Sequence, residues 1–393
     1  MFCRISINSK QKKSIGHIVS ILFLFVLWSC LTPTPNSSVS YNAMSVDIDA
    51  RYEVSIFDIF ERIELIPLET TDESIFRDAQ ELKYHNGVVY ILDWRKIFAF
   101  DATSGDLLFK IDDEGQGPQG YLHINDFEID RCNDKILILD PMRRNLIEYD
   151  LSGRFVRSTK LPEIIHAYGS LRYLGDEVIA FMTFDDDNRL KFYDRRQSEI
   201  FSERLPVLPE DRNFFDIGLR FFSNANFIMR DLAFNNNVYE IFSDGTYSIA
   251  YIWDFGRLNN CSTRIQHLIN PQSREEFMEQ ERRLRSSELV NYFFIAGDVN
   301  QTYRYARIVR RNQYVHLLHN IARERTYVFT EFSEGATFFP VFWGDEFIIG
   351  LGPFAGYREE TIPDAILDDR NLAIKRNICE FDNPMLIKYW FRR

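Results

Sequence analysis

The chain has 393 residues, 45% of them hydrophobic and 26% charged, a balance that supports a large buried core and excludes a disordered chain. Its formal net charge of −12 excludes a protein that neutralises phosphate backbones, because nucleic-acid binding needs a basic face. Removing residues 1–29 takes away Arg4, Lys10, Lys12 and Lys13 and no acid, which moves the charge from −12 to −16.

Residues 1–29 read as a lipoprotein signal peptide. Lys10, Lys12 and Lys13 form a basic start, and residues 18–28 are an apolar run too short to span a bilayer as an ordinary helix. The run ends Leu27-Trp28-Ser29-Cys30, the pattern of a bacterial lipobox with Cys30 as the lipid-attachment residue, although Trp28 is bulkier than usual. Residues 30–50, which begin Leu31-Thr32-Pro33-Thr34-Pro35, have the composition of a flexible tether. The folded part, residues 51–393, is then expected outside the cytoplasm and held to a membrane by lipid.

From residue 86 the chain repeats itself. Asn86-Gly87-Val88-Val89-Tyr90-Ile91-Leu92-Asp93 returns as Asn133-Asp134-Lys135-Ile136-Leu137-Ile138-Leu139-Asp140, and each is followed by a second strand ending aromatic-Asp at Phe100-Asp101 and Tyr149-Asp150. Such a unit cannot bury its faces alone, so it implies a β-propeller. The opening turn recurs at Asn86, Asn133, Gly175-Asp176, Asn224-Ala225-Asn226, Asn312-Gln313 and Gly344-Asp345. Six turns predict six four-stranded antiparallel blades. The intervals are 47, 42, 50, 87 and 32 residues, so the period slips late in the chain. Residues 262–289 supply a reason: Phe277, Met278 and Leu284 have helical spacing, Glu and Arg interleave, and Ser273 with Glu276 forms a capping pattern. They predict one helical insertion. Strands at residues 62–68 and 384–391 are expected to share a blade and close the ring, and 35 Phe with 19 Tyr suit packing between twisted sheets.

Candidate sites are few. Gly115-Gln116-Gly117-Pro118 is a candidate ligand loop, since two Gly around Gln allow backbone N–H groups to face a ligand; turn chemistry between two strands is the preferred reading, and no P-loop lysine follows. Asp185-Asp186-Asp187-Asn188 lacks calcium-loop spacing. The recurring Asp93, Asp101, Asp140, Asp150 and Asp194 read as acceptors of backbone N–H groups in turns, because repetition in every unit favours scaffold over site. His316 and His319 fall on opposite faces of a strand, so no shared metal is expected. Cys132, Cys261 and Cys379 are expected to be buried and unpaired. Trp253, Tyr292-Phe293-Phe294 and Phe338-Phe339 read as inter-blade core. No catalytic residue, metal or cofactor emerges.

Gly115-Gln116-Gly117-Pro118-Gln119-Gly120-Tyr121, followed by Ile124-Asn125-Asp126-Phe127-Glu128-Ile129-Asp130, resembles the signature of the six-bladed β-propeller lipoproteins of Bacteroidota, which are distantly similar to NHL-repeat propellers. Ile66-Pro67-Leu68-Glu69-Thr70 and Asp382-Asn383-Pro384-Met385-Leu386 resemble the two ends of that family. The resemblance implies the fold and the compartment and leaves the biochemical role open. In that setting, acidic residues after the lipidated Cys would signal surface export. Leu31-Thr32-Pro33-Thr34 has none, so an outer-membrane lipoprotein facing the periplasm is expected. The reading reached is a non-catalytic binding or scaffold propeller for an envelope protein or glycan. The alternative is a propeller hydrolase or lyase with a metal ion in its central channel, and carboxylates converging there would distinguish the two.

Overall fold

A computed structural model describes residues 43–50, 53–117, 119–163, 169–183, 188–206, 219–230, 236–259, 273–290, 292–352, 362–379 and 381–392. The chain enters through a short strand, β1 (Ala43–Ser45), a turn of helix, α1 (Ile56–Ile59), capped by Ser55, and β2 (Phe60–Pro67). Blade I follows as β3 (Glu81–His85), β4 (Val88–Asp93), β5 (Lys96–Asp101) and β6 (Leu107–Ile111). Blade II holds β7 (Asp126–Asp130), β8 (Lys135–Asp140), β9 (Asn145–Asp150) and β10 (Phe155–Lys160). Blade III holds β11 (Ser170–Gly175), β12 (Val178–Met182), β13 (Asn188–Asp194) and β14 (Glu199–Pro206). Blade IV holds β15 (Leu219–Phe221), β16 (Phe227–Arg230), β17 (Asn237–Ile241) and β18 (Tyr247–Asp254), and the helix α2 (Arg274–Ser286) comes next. Blade V holds β19 (Tyr292–Val299), β20 (Tyr303–Arg310), β21 (Gln313–Asn320) and β22 (Arg325–Phe329). Blade VI takes β23 (Pro340–Trp343), β24 (Phe347–Leu351), the helix α3 (Asp369–Asn377) between strands, and β25 (Met385–Phe391).

Each blade is an antiparallel four-stranded sheet in chain order, and blade VI is completed by β2, giving the order β2-β25-β24-β23. The protein is a six-bladed β-propeller. Its core is not one globule but six apolar wedges, each shared by neighbouring blades. Between blades I and II, for example, Tyr90, Ile97 and Ala99 meet Phe127, Ile136 and Tyr149. Such wedges follow from the alternation of side chains on each strand, which gives every twisted sheet two faces to bury.

The β2–β25 pairing runs from Phe60↔Phe391 to Pro67↔Met385 and joins the two ends of the ring. The seam with blade I is tight. The Glu69 N–H donates to the Gly105 carbonyl at 2.9 Å, and a Cβ on Gly105, whose φ is +83°, would sit 1.9 Å from the Pro67 carbonyl oxygen. Only glycine fits there.

Three features depart from the sequence reading. First, the turn at Arg311 and Asn312, both with left-handed φ, joins β20 to β21 and does not open a blade. The opening turn of blade V is Asn300-Gln301-Thr302, where the Asn300 carboxamide oxygen accepts from the Thr302 and Tyr303 N–H groups. With Asn300 in place of Asn312, the excess length falls in one interval, the one that carries α2. Second, residues 43–50 are not free tether. β1 pairs parallel with β18 as a fifth strand of blade IV, and Met44, Val46 and Ile48 are buried in alternation against Trp253 and Phe255. Residues 30–42, with Cys30 and the signal segment, lie outside the described residues. Third, among the described residues there are two helical insertions. Besides α2, capped by Ser273 at the Glu276 N–H, blade VI carries α3, capped by Asp368 at the Asn371 N–H. Asn371 is buried, accepting from Leu65 N at 2.8 Å and donating to the Ile63 carbonyl at 3.1 Å. α3 therefore covers the outer edge of β2, an edge that would otherwise invite pairing with another chain.

Candidate functional site

The first strand of each blade lies nearest the axis, and these strands carry charge. Lys83 on β3, Asp126 and Glu128 on β7, Arg172 on β11 and Asp298 on β19 are all buried. Lys83 pairs with Glu81 at 2.9 Å, and the Arg172 guanidinium lies 3.2 Å from Glu128. Arg172 also donates to the Phe222 carbonyl, Ser223 donates to Asp298 through both its N–H (3.0 Å) and its hydroxyl, and the Trp343 N–H reaches the Ser223 hydroxyl at 2.9 Å. The Leu171 N–H donates to Asp126 at 2.9 Å. Polar contacts thus link blades II to VI around the axis, and Lys83 of blade I feels the Glu128 and Asp126 carboxylates of blade II.

Electrostatics explain how it holds. Burial works against the charge on Lys83, but the Glu81, Glu128 and Asp126 carboxylates outweigh it and hold the ammonium above its ordinary range. Asp298 has hydrogen-bond donors and a more distant Arg172; burial dominates and pushes it up to about 7. Glu81 and Glu128 are thus paired with Lys83 and Arg172, whereas Asp126 and Asp298 are held by backbone N–H and hydroxyl donors. Among the described residues no group of three His, Cys, Asp or Glu could hold a metal.

The residues singled out in the sequence fall mostly into the scaffold. Asp93 accepts from the Arg77 and Asp78 N–H groups, Asp140 from Leu122 and Arg143, Asp101 from Thr103 and Ser104, Asp150 from Ser152 and Arg154, and Asp194 from Arg196 and Gln197. His316 is buried against Tyr305 (2.8 Å), and burial with Arg307 holds it well below its usual range; His319 meets Thr326 at 3.0 Å. Trp253 and Phe338 are buried core. Cys132 and Cys379 are unpaired but exposed, not buried: each sits at a turn tip outside the wedges. Asp185, Asp186 and Asp187, Cys261 and Pro118 lie outside the described residues.

The candidate loop has a defined frame. Gly115 N–H donates to the Tyr121 carbonyl at 3.0 Å, Arg143 donates to the Gly117 and Gly120 carbonyls at 3.1 and 2.8 Å, and the Tyr121 hydroxyl reaches the Arg95 carbonyl at 2.5 Å. A Cβ on Gly120 would meet the Gly115 carbonyl oxygen at 2.5 Å, so this turn closes only with glycine. The loop is thereby fixed between the β4–β5 and β8–β9 turns of blades I and II.

Those turns belong to one face of the ring. In an antiparallel blade the second-to-third-strand turns and the connections between blades emerge at the same end. Among the described residues the four most exposed large apolar side chains are Phe381 (83%), Met142 (68%), Trp94 (60%) and Met278 (56%). All four lie on such connections, and so does Ile75, which is half exposed. Trp94 adopts φ +54°, a left-handed conformation that a bulky residue rarely takes. It is held from both sides: its N–H donates to the Gln80 carboxamide oxygen at 2.9 Å, and Tyr121 holds the Arg95 carbonyl. Sequence reasoning missed this residue, because a turn-tip Trp and a core Trp look alike until the strands are paired.

A family model described as a domain of unknown function, DUF4934, matches residues 42–389, and the chain belongs to that family. No curated protein matches it. Among solved structures it is similar to a presumed exported protein of Bacteroides fragilis, with a TM-score of 0.68 and 14% identity over 90% of this chain and 100% of that one. It also matches a member of the DUF4221 family from Bacteroides vulgatus, with a TM-score of 0.46 and 12% identity over 85% and 97% of the two chains. At these identities the likeness speaks for the fold alone.

Proposed function

We propose that this DUF4934 protein is a non-catalytic binding propeller of the cell envelope, docking a protein or glycan on the face that carries the inter-blade connections. One observation carries the reading: the most exposed large apolar residues gather on that face while the blade faces are buried in the wedges. Fixed loops on a rigid ring suit recognition, because little order has to be gained on binding. The axial ion pairs support binding over metal-assisted hydrolysis, since Lys83 and Arg172 already engage two of the carboxylates that a metal would need.

The compartment is part of the same reading. Lipid attachment at Cys30 and an outer-membrane position facing the periplasm rest on the lipobox pattern, and the Bacteroides fragilis neighbour described as exported agrees with it. The test is a pull-down from envelope extracts with the wild-type chain, a face variant (Met142→Ser with Phe381→Ser) and a rim variant (Val156→Ser on β10). A specific partner should be lost by the face variant and kept by the rim variant. Equal capture by all three would refute the assignment of the face.

A further inference from the structure

Trp94, Met142 and the loop between them have a chemistry more specific than general stickiness. The charges around them are paired among themselves. Arg95 pairs with Glu114, Lys96 with Asp112 at 2.8 Å, and Arg144 with Glu163 at 3.2 Å, while Arg143 is directed at the Gly117 and Gly120 carbonyls. Asp113 accepts from the Tyr149 hydroxyl at 3.0 Å. The cations of this patch are therefore occupied by carboxylates or carbonyls, and the one acid without a cation beside it is the exposed Asp113. What it does offer is an exposed indole, an exposed thioether, and the exposed carboxamides of Gln116 and Gln119, which donate and accept without carrying charge.

We propose that Trp94, Gln116, Gln119 and Met142 form a binding site for an uncharged saccharide, whose ring stacks on the Trp94 indole while its hydroxyls bond to the two carboxamides. The inference rests on the docking face above and names its ligand. Three observations converge on it. The apolar face of a sugar ring matches an indole, and its hydroxyls match neutral amides better than ions that are already paired. An acidic glycan would gain nothing from a rim whose cations are occupied, and it would meet the Asp113 carboxylate. The Trp94 backbone is also held in its strained turn by Gln80 on one side and Tyr121 on the other, so the turn that carries the indole is ordered before binding.

The experiment is affinity electrophoresis of the mature chain in gels containing a neutral α-glucan, a neutral β-glucan or polygalacturonate, with acrylamide quenching of Trp fluorescence as a second readout. Trp253 and Trp343 are buried and Trp390 is partly exposed, so the Trp94 contribution is read as the difference between wild type and Trp94→Gly. Retardation is expected with at least one neutral polysaccharide, together with protection from acrylamide. Trp94→Gly should weaken it at least about tenfold, and Trp94→Phe should keep part of it. Glycine relieves the left-handed backbone, so the Trp94→Gly variant keeps its thermal midpoint and loss of binding cannot be ascribed to unfolding. Retardation by polygalacturonate alone, by none of the three, or unchanged by Trp94→Gly would overturn the proposal. A protein captured from extracts by wild type and lost by Trp94→Gly, with no polysaccharide bound, would overturn the saccharide and leave the docking face standing. Capture unaffected by the face variants would remove the face itself.

Discussion

Asn371→Ala tests how the ring is sealed. Asn371 is 4% exposed, and its carboxamide serves the Leu65 N–H and the Ile63 carbonyl of β2, which are the outward-facing groups of the strand that closes the propeller. Truncation leaves both backbone groups covered by α3 but unbonded. A buried polar group without a partner costs about 1–3 kcal/mol, so two cost about 2–6 kcal/mol. Replacing Asn by Ala within the helix returns about 0.5 kcal/mol through helix propensity, and the Asp368 cap is kept because it binds the Asn371 backbone N–H. The expected net loss is about 3 kcal/mol. Urea unfolding of the mature chain measures it, with hydrogen exchange at the Leu65 amide as the local readout. A loss under about 1 kcal/mol with the Leu65 amide still protected would show that α3 does not seal the edge, and the argument would fail.

Other outcomes follow from the same structure. Asp298, pushed up to about 7, takes up a proton on folding, so its contribution to stability is greatest toward pH 4 and falls as pH rises through 7. Asp298→Asn should therefore gain on wild type between pH 5 and pH 8 in urea midpoints, and a difference that does not change with pH would refute it. Cys30→Ser should abolish lipid labelling and move the protein to the soluble envelope fraction; unchanged membrane fractionation would argue against lipid attachment. Replacing residues 262–287 with a short Gly/Ser linker should leave unfolding cooperative, since α2 adds no strand to any blade. Some stability should be lost, because Leu284 is buried and the Arg285 carbonyl accepts from the Asn312 N–H at 2.8 Å. Failure to fold would place α2 in the core.

The blades were legible because each strand ends in a residue whose role is local. Asp93 and Asp140 bond to backbone a few residues away or across one interface, so they recur wherever the turn recurs. Blade V was misplaced for a comparable reason. Asn300-Gln301-Thr302 turns without glycine, whereas Arg311-Asn312 looks like an opening turn and is the next one along. β1 has only three paired residues, and its Met44-Val46-Ile48 alternation is brief beside a Pro- and Ser-rich stretch. The axial Lys83 and Arg172 were invisible because charge on a strand ordinarily means solvent; only the convergence of six first strands brings Glu128 and Asp298 near them. Of the candidate loop, the glycines were readable and the neighbours were not. That Arg143 fixes it and Trp94 flanks it depends on how two blades meet.

The β2–β25 pairing has a consequence for how the molecule is made. Phe60 finds its partner at Phe391, so the last blade has no outer strand in register until the final residues of the chain have emerged. Blades I to V can form in order from their own hairpins, each within a short local loop. The closing step joins segments more than three hundred residues apart and comes last. Until then blades I and VI present unpaired apolar sheet faces to one another across an open gap, in a state prone to aggregation. A chain that is released early, or shortened by even its last strand, is left as an open arc rather than a smaller ring.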